Sequence, residues 1–336
     1  MRSGRWISCL LTVVWMASAW QSPVAENPNA GTKAASAHEP PPDWAYVVNP
    51  PAEPSDALKT PDPTPLHVPD SQAAFTRAQT QNFFQPPDWH PADHQAMPEI
   101  VWRGREPDVY ACGYCHLPNG QGRPENSSLA GLPVAYVVEQ LAEFKSGLRR
   151  SSEPRHGPTS AMIAYETKAT EKEIEAAAEY FSALRPRPWI RVVETDTVPK
   201  THVEGWMLVA SESGETEAIG GRIIETPENL ERTELRDDHS GFVAYVPLGS
   251  IKRGEALANG SGEALRCATC HGRDLRGKGK VPPLAGRSPS YLVRQLYDMR
   301  TGARGGATVH DMKPVVKKLT IDDMAALAAY MASLKP

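Results

Sequence analysis

The chain contains few cysteines, and long hydrophobic runs are missing after its first residues. Five of the 336 residues are cysteine, and four of them form two close pairs. After residue 20 no segment approaches the 18 consecutive apolar residues that a transmembrane helix needs, so we expect a soluble mature protein. Aromatic and basic residues are not interleaved as they are on nucleic-acid-binding surfaces, which argues against such a partner.

The first 19 residues have the pattern of an export signal. The basic start MRSGR precedes the short apolar run WISCLLTVVWMASAW, and residues 17–19 fit the small-x-small cleavage rule. We therefore predict a signal peptide over residues 1–19 and a periplasmic mature protein. An uncleaved N-terminal membrane anchor is the alternative.

The four paired cysteines occur in two copies of one pattern, CGYCH at 112–116 and CATCH at 267–271. Two thiols at this spacing can bond to the vinyl groups of haem, and the following histidine is then placed to bind the iron. Zinc is the alternative, but it needs four ligands grouped together, whereas these pairs lie far apart in the sequence. We predict two covalently bound haem c groups. The residues concerned are Cys112, Cys115 and His116 in the first pattern and Cys267, Cys270 and His271 in the second.

An internal repeat surrounds the two patterns. At an offset of 155 residues the tripeptide LAG recurs, and further positions carry identical residues. After a slip of five residues, TEKEIEAAAEYFSAL (170–184) matches TIDDMAALAAYMASL (320–334), and each begins with a capping-box signature. The repeat predicts two copies of one small helical domain. The matched pairs include Tyr136 and Tyr291, Gln140 and Gln295, Leu141 and Leu296, Gly147 and Gly302, and Arg149 and Arg304.

The repeat also nominates a second axial ligand for each iron. Met162 and Met312 each lie eight residues before the matched final segments of their repeats. His156 and His310 are the competing ligands, but they lie at unequal distances from those segments, which counts against a shared role. We predict that Met162 and Met312 are the sixth ligands, since thioether sulfur is one of the usual axial groups in c-type cytochromes.

The order of these features resembles a two-haem class I cytochrome c built from tandem monohaem domains. The resemblance covers residues 99–186 and 250–336. It implies that a glycine near the first helix of each domain packs against an aromatic residue of the last helix. Gly104 and Gly254 are the candidate glycines, and Tyr180 and Tyr330 are the aromatic residues.

The resemblance further implies a Pro-x-Leu element whose proline carbonyl orients the haem-binding histidine. Pro282 and Leu284 match this element in the second domain. The first domain has Ser127 in place of the proline, so we expect His116 to be less tightly oriented. We also expect a shortened first helix there, because Pro107 interrupts the residues before the CGYCH pattern.

Two segments lie outside the resemblance. Residues 20–98 begin with a proline-rich stretch and are predicted to be extended and largely unpacked, with the tryptophans of the repeated PPDW tetrapeptide lying on a domain surface. Residues 187–249 contain the β-branched and aromatic runs WIRVV, GWMLVA, GGRIIE and GFVAYVP, which predict an insert of short strands. His202 and His239 in this insert are predicted to be surface or capping residues. The predicted fold is therefore mainly α, with two tandem cytochrome c domains, a β insert and a proline-rich arm.

The charge distribution suggests where a partner binds. Residues 250–336 contain 15 basic and 7 acidic residues, whereas the insert contains 6 basic and 12 acidic ones. A basic surface at the haem edge would attract an acidic redox partner, although it could instead balance the acidic insert within the chain. The residues predicted at this rim are Lys278, Lys280, Arg287 and Lys313.

The sequence predicts an electron carrier rather than an enzyme, because both irons would be closed by histidine and methionine. A two-haem peroxidase is the alternative, and it would need an open iron position with an acid-base group nearby. A third possibility is the cytochrome subunit of a periplasmic dehydrogenase, with the proline-rich arm or the insert as its docking surface.

Overall fold

The computed structural model describes residues 39–51, 62–260 and 266–336. The predicted signal peptide and part of the proline-rich segment lie outside these residues. Within the described ranges, every helix falls short of the length and apolar character that a membrane crossing requires.

Helices make up most of the regular structure in both repeats, as the sequence predicts. The helices are α1 (Arg77–Thr80), α2 (Glu99–Trp102), α3 (Cys112–His116), α4 (Val134–Lys145), α5 (Gly157–Ala164), α6 (Glu171–Ala183), α7 (Leu230–Glu234), α8 (Ser250–Ala258), α9 (Cys267–His271), α10 (Pro289–Thr301), α11 (Ala307–His310), α12 (Lys313–Val316) and α13 (Ile321–Ser333).

The final helix of each repeat starts at a capping box. Thr170 Oγ1 accepts from the backbone N–H of Glu173, and the Glu173 carboxylate accepts from the backbone N–H of Thr170, at 3.3 and 2.7 Å. Thr320 and Asp323 make the same reciprocal pair at 3.1 and 3.0 Å. Each pair satisfies two backbone N–H groups that the helix itself leaves without acceptors, and both helix starts confirm the sequence signals.

In the second repeat, α8 packs against α13 at a close crossing. A Cβ atom on Gly254 would lie 1.9 Å from the carbonyl oxygen of Ala326 and 2.7 Å from Cβ of Tyr330. Only glycine fits there, so the predicted contact of Gly254 with the last helix is confirmed. The core around this crossing is aliphatic, with Met324 and Ala328 fully buried.

The first repeat lacks this crossing. Its leading helix α2 has only four residues, as predicted from Pro107, and it packs against α3 and α6. Gly104 instead follows α2 in a turn with φ +68°, where a Cβ atom would strike the backbone of Val109 and Ala111. The expectation that Gly104 packs against the aromatic of the last helix is therefore wrong, because its conformation serves the turn.

Short strands lie between the two repeats, as predicted. Strand β1 runs parallel to β7, β6 runs antiparallel to β7, and two antiparallel pairs join β2 with β5 and β3 with β4. Strand β1 also packs against α13, which connects the sheet to the second repeat. The strands are β1 (Ile190–Thr195), β2 (Thr197–Pro199), β3 (Thr201–Glu204), β4 (Met207–Ala210), β5 (Thr216–Ala218), β6 (Ile224–Pro227) and β7 (Phe242–Pro247).

The described residues of the N-terminal segment are packed onto the rest of the chain. Trp89 is fully buried and donates Nε1–H to the Leu235 carbonyl at 2.7 Å, and Tyr46 donates its hydroxyl to Asp298 at 2.6 Å. Trp44 is half-buried against the core of the second repeat. The packing of both PPDW tryptophans is confirmed, whereas the expectation of a largely unpacked segment is wrong for these residues. Residues 40–336 form one compact unit.

Gly254→Ala tests the α8–α13 crossing. Helix propensity alone would favour alanine by about 1 kcal/mol, but the added Cβ meets the Ala326 carbonyl, so we expect a net loss of about 1–3 kcal/mol in the free energy of unfolding. Denaturant unfolding measures it. Ala256→Val, at an exposed position of the same helix, is the control. It should lower the free energy of unfolding by only a few tenths of a kcal/mol. A neutral or stabilising Gly254→Ala would contradict the close crossing.

Candidate haem-binding sites

The residues of the first CxxCH pattern lie beside a cavity. Helix α3 carries Cys112, Cys115 and His116 onto the wall of a cavity of about 710 Å³, and Met162 of α5 lines the same space. An adjoining cavity of about 760 Å³ is also lined by His116 and Met162. The structure thus brings together the four residues predicted for the first site.

The imidazole of His116 is held in the orientation that metal binding requires. Its Nδ1 lies 2.7 Å from the carbonyl oxygen of Ser127, and Nδ1 of His271 lies 2.9 Å from that of Pro282. A carbonyl only accepts, so each Nδ1 donates and each Nε2 keeps its lone pair for a metal. The expectation of a less tightly oriented His116 is wrong, because the contact uses a backbone carbonyl that serine supplies as well as proline.

Burial favours the uncharged forms of His116, His271 and Glu166. It lowers the pKa of His116 to about 4 and also lowers the pKa of His271, so both imidazoles are neutral near pH 7, the form that binds a metal. Glu166 lines the 710 Å³ cavity, and burial raises its pKa to about 8. This carboxyl is therefore mostly protonated at neutral pH and adds little charge to the cavity.

His156 lies at the polar end of the 760 Å³ cavity beside the first CxxCH pattern. It precedes α5, is 2% exposed and pairs Nδ1 with the Thr159 hydroxyl at 3.0 Å. Its Nε2 is buried without a hydrogen-bond partner among the described residues. It lines the 760 Å³ cavity together with Arg149 and Arg294.

The cysteines of the second CxxCH pattern are more exposed to solvent than those of the first. Helix α9 presents Cys267 half-buried and Cys270 exposed, while His271 is buried. Met312 immediately precedes α12 and is half-buried. His310, the competing ligand, is largely exposed and pairs its Nδ1 with Asp311 at 3.2 Å.

Equivalent residues of the two repeats meet at an interface between them. Arg304 donates to the Tyr136 hydroxyl and to Gln140 Oε1, both at 2.8 Å. In the reverse direction, Arg149 donates to Gln295 Oε1 at 3.1 Å and approaches the Tyr291 hydroxyl at 3.4 Å. The backbones of the two arginines also form an antiparallel bridge. The repeats are therefore related here by an approximate two-fold axis, which the matched pairs of the sequence did not reveal.

Two further arginines of the second repeat are buried at this interface. Arg294 donates to the carbonyls of Ala45 and Pro124 at 2.7 and 2.5 Å, and Arg287 donates to the carbonyls of Pro283 and Ser128. Arg287 is only 6% exposed, so its prediction as a rim residue is wrong. The three lysines predicted at the rim, Lys278, Lys280 and Lys313, are exposed.

Comparison with known proteins decides the family. The sequence model of the Cytochrome c family matches residues 107–185 and 251–335, which include both CxxCH patterns. Cytochrome c-554(548) from Halomonas halodenitrificans is 36% identical over 81 residues, which cover 96% of that protein and 24% of this chain. The chain belongs to the cytochrome c family.

Other similarities cover a larger share of the chain. The thiosulfate dehydrogenase electron acceptor of Thiomonas intermedia (strain K12) is 24% identical over 244 residues, covering 69% of this chain and 82% of that protein. Among solved structures, thiosulfate dehydrogenase from Marichromatium purpuratum in its as-isolated form aligns with a TM-score of 0.43 and 26% identity. That alignment covers 68% of this chain and 37% of the other.

The first site fits the haem that membership of this family implies. The cavity offers paired thiols, a neutral imidazole with a free Nε2, a thioether and an apolar wall that includes Ile174 and Phe181. Its polar end has a buried nitrogen without a hydrogen-bond partner among the described residues, His156 Nε2, and two arginines, which suit the acidic edge of the group.

Arg304→Met tests the interface between the repeats. The change removes charge-assisted hydrogen bonds to Tyr136 and Gln140, so we expect the free energy of unfolding to fall by about 2–4 kcal/mol. Calorimetry or denaturant unfolding measures this. Arg103→Met, at a largely exposed position, is the control and should stay within about 0.5 kcal/mol of the parent. Equal effects of the two changes would show that the interface contributes nothing specific.

Proposed function

We propose that the protein is a periplasmic dihaem c-type cytochrome that passes single electrons between protein redox partners. The observation that carries the proposal is the placement of the CxxCH pattern of α3 on a cavity wall, with His116 held by a backbone carbonyl and Met162 lining the same space. The second repeat supplies the same donor set with Pro282 as the carbonyl. Membership of the cytochrome c family agrees with this function.

Each donor has a defined part in the proposal. The four thiols of Cys112, Cys115, Cys267 and Cys270 would attach two haem groups, and Nε2 of His116 and of His271 would each bind one iron. A haem held in this way supplies an iron that gains or loses one electron at a time. The buried histidines, fixed by their carbonyl contacts, keep the ligand in one orientation in both oxidation states, which limits rearrangement during transfer.

We assign the sixth positions to Met162 and Met312. Met162 lines both parts of the first cavity, including the part that holds the two cysteines, whereas His156 lines only the polar part beside Arg149. His156 Nε2 therefore suits a hydrogen bond to a haem propionate better than a bond to iron. Met312 is assigned by its equivalent place in the repeat, since exposed His310 is paired with Asp311.

The domain limits belong to this proposal. We place the cytochrome domains at residues 99–186 and 250–336, with residues 187–249 as an insert that connects them. The signal peptide of residues 1–19 would direct the chain to the periplasm, where c-type cytochromes receive haem.

A dehydrogenase is the partner class that the relatives favour. The Thiomonas protein, of which this chain covers 82%, is named as the electron acceptor of thiosulfate dehydrogenase. We propose that this chain likewise accepts electrons from a dehydrogenase of this class, and that it is a carrier rather than a peroxidase. Lys278, Lys280 and Lys313 would attract an acidic partner surface to the second domain.

Substituting each cysteine pair by serine tests the haem count. Mass spectrometry of the mature protein should show two attached haem groups, and the Cys112/Cys115 and Cys267/Cys270 double variants should each lose one of them, because the thioether bonds can no longer form. Cys9→Ser, within the predicted signal peptide, is the control and should leave both groups attached. Bound zinc without haem would contradict the proposal.

Methionine substitution tests the sixth ligands. Met162→His and Met312→His should each lower the reduction potential of one haem and leave the other nearly unchanged, because thioether ligation raises the potential relative to imidazole. An optical redox titration measures both potentials. Met97→His, at a half-buried residue that does not line either cavity, is the control. Ready binding of carbon monoxide by the reduced parent protein would indicate an open iron and favour the peroxidase.

Charge reversal tests the docking surface. Lys278→Glu, Lys280→Glu and Lys313→Glu should slow association with the dehydrogenase several-fold at low salt, and much less at physiological salt, where screening limits the field to about 8 Å. Stopped-flow kinetics over a range of salt concentrations measures this. Lys168→Glu and Lys172→Glu, exposed in the first domain, are the controls. Equal effects of both sets would contradict docking at the second domain and leave the haem assignment intact.

A further inference from the structure

A second cluster of metal-ligating side chains lies outside both haem sites. His90 of the N-terminal segment meets Asp238 and His239, which lie between α7 and β7, and one donor atom from each residue lies within 4.8 Å of the others. His90 and Asp238 are buried, whereas His239 is partly exposed. The two imidazole rings stack at 3.6 Å between centroids, with an interplanar angle of 4°.

The Asp238 carboxylate lacks the partners that burial demands. The residue is 1% exposed, and neither carboxylate oxygen has a hydrogen-bond partner among the described residues. The nearest imidazole nitrogen, His90 Nε2, lies 3.9 Å from Oδ1. A buried carboxylate without hydrogen bonds is costly, so these two oxygens indicate a ligand of positive charge.

The other carboxylates around the cluster have partners. Arg187 pairs with Asp93 at 2.7 Å, Arg232 pairs with Asp237 at 2.6 Å, and His94 Nε2 lies 3.3 Å from Asp88. Asp238 is the carboxylate of this group whose two oxygens have no hydrogen-bond partner among the described residues. The carboxylates are Asp88, Asp93, Asp237 and Asp238.

Both imidazoles are already oriented by carboxylates. His90 Nε2 lies 3.0 Å from Asp237 Oδ1, and His239 Nε2 lies 2.5 Å from Asp93 Oδ2 and 3.1 Å from Arg187 Nη1. A carboxylate beside a ring nitrogen holds the imidazole in one orientation, which is the usual support of histidine ligands. His239 is exposed, as predicted for a surface residue, and it also belongs to this cluster.

We propose that His90, Asp238 and His239 bind one divalent transition-metal ion of the zinc class. Two imidazoles and one carboxylate form a donor set that zinc takes with a water or a further oxygen in the fourth position. Zinc lies about 2.0–2.2 Å from such donors, which places tetrahedral donors about 3.4 Å apart, so binding would draw donor atoms that now lie within 4.8 Å of one another closer by up to about 1.4 Å, with a tilt of the stacked rings. The proposal is independent of the haem assignment.

The ion would join two parts of the chain beside the first haem domain. His90 comes from the N-terminal segment, and Asp238 and His239 come from the insert. The loop after His116 is attached to the same turn, since Asn119 Nδ2 donates to the Asp238 carbonyl at 2.7 Å and Gln121 Nε2 donates to the Ser240 carbonyl at 2.9 Å. A bound ion would therefore stabilise the contact between these loops.

Metal titration of the untagged, haem-loaded protein tests the proposal. After treatment with EDTA, isothermal calorimetry with zinc chloride should give one site per chain, and elemental analysis should report one zinc beside the haem iron. Asp238→Asn and His239→Ala should each weaken zinc binding by at least about tenfold, since even supporting groups of such sites contribute 10–100-fold. His202→Ala, an exposed histidine that pairs with Glu204 at 3.3 Å, is the control and should bind zinc like the parent.

The outcomes distinguish a metal site from a cluster in which protonated histidines balance the charge of Asp238. Zinc should raise the melting temperature of the parent and of His202→Ala, but not that of the two site variants. An unchanged haem absorption spectrum shows that each variant has folded, and His239→Ala, whose side chain is 30% exposed, remains informative if Asp238→Asn does not fold. Absence of zinc binding below millimolar concentration, or equal binding by His239→Ala and His202→Ala, would overturn the proposal and leave protonated histidines as the counter-charge.

Discussion

The hydrogen bonds of two arginines across the contact between the repeats hold the structure in one piece. Arg304 donates to Tyr136 and Gln140 of the first repeat, and Arg149 donates to Gln295 of the second. A buried guanidinium group is stable only where acceptors surround it. The tyrosines and glutamines on the two central helices, α4 and α10, provide such acceptors, so the position of each repeat depends on side chains of the other.

This contact also shapes the first candidate haem site. Arg149 and Arg294 line the polar end of the cavity that His116 and Met162 share, so part of the wall comes from the second repeat. Arg294 continues to Pro124 and Ala45, which ties the N-terminal segment to the same region. The pocket is therefore completed by tertiary contacts, although its principal donors all belong to the first repeat.

The sequence was sufficient for the family, the capped helices that end the two repeats and the presence of short strands in the insert, because spacing and capping signals are local. The offset of 155 residues identified Arg149 and Arg304 as equivalent, but equivalence does not show that two residues meet. Arg287 illustrates the same limit, because a charge count treats every arginine as exposed, whereas this one donates to Ser128 in the interface. Proline content likewise restricts the backbone of the N-terminal segment without excluding the burial of Trp89.

The most direct test of this account is the rate at which an electron passes between the two haem groups of one molecule, measured after flash reduction in solutions of increasing viscosity. Two repeats joined by the hydrogen bonds of Arg304 and Arg149 need no relative motion for an electron to pass between their haem groups. The account therefore predicts a rate that is independent of both protein concentration and viscosity. A rate that falls in proportion to viscosity, or transfer only between separate molecules, would contradict it.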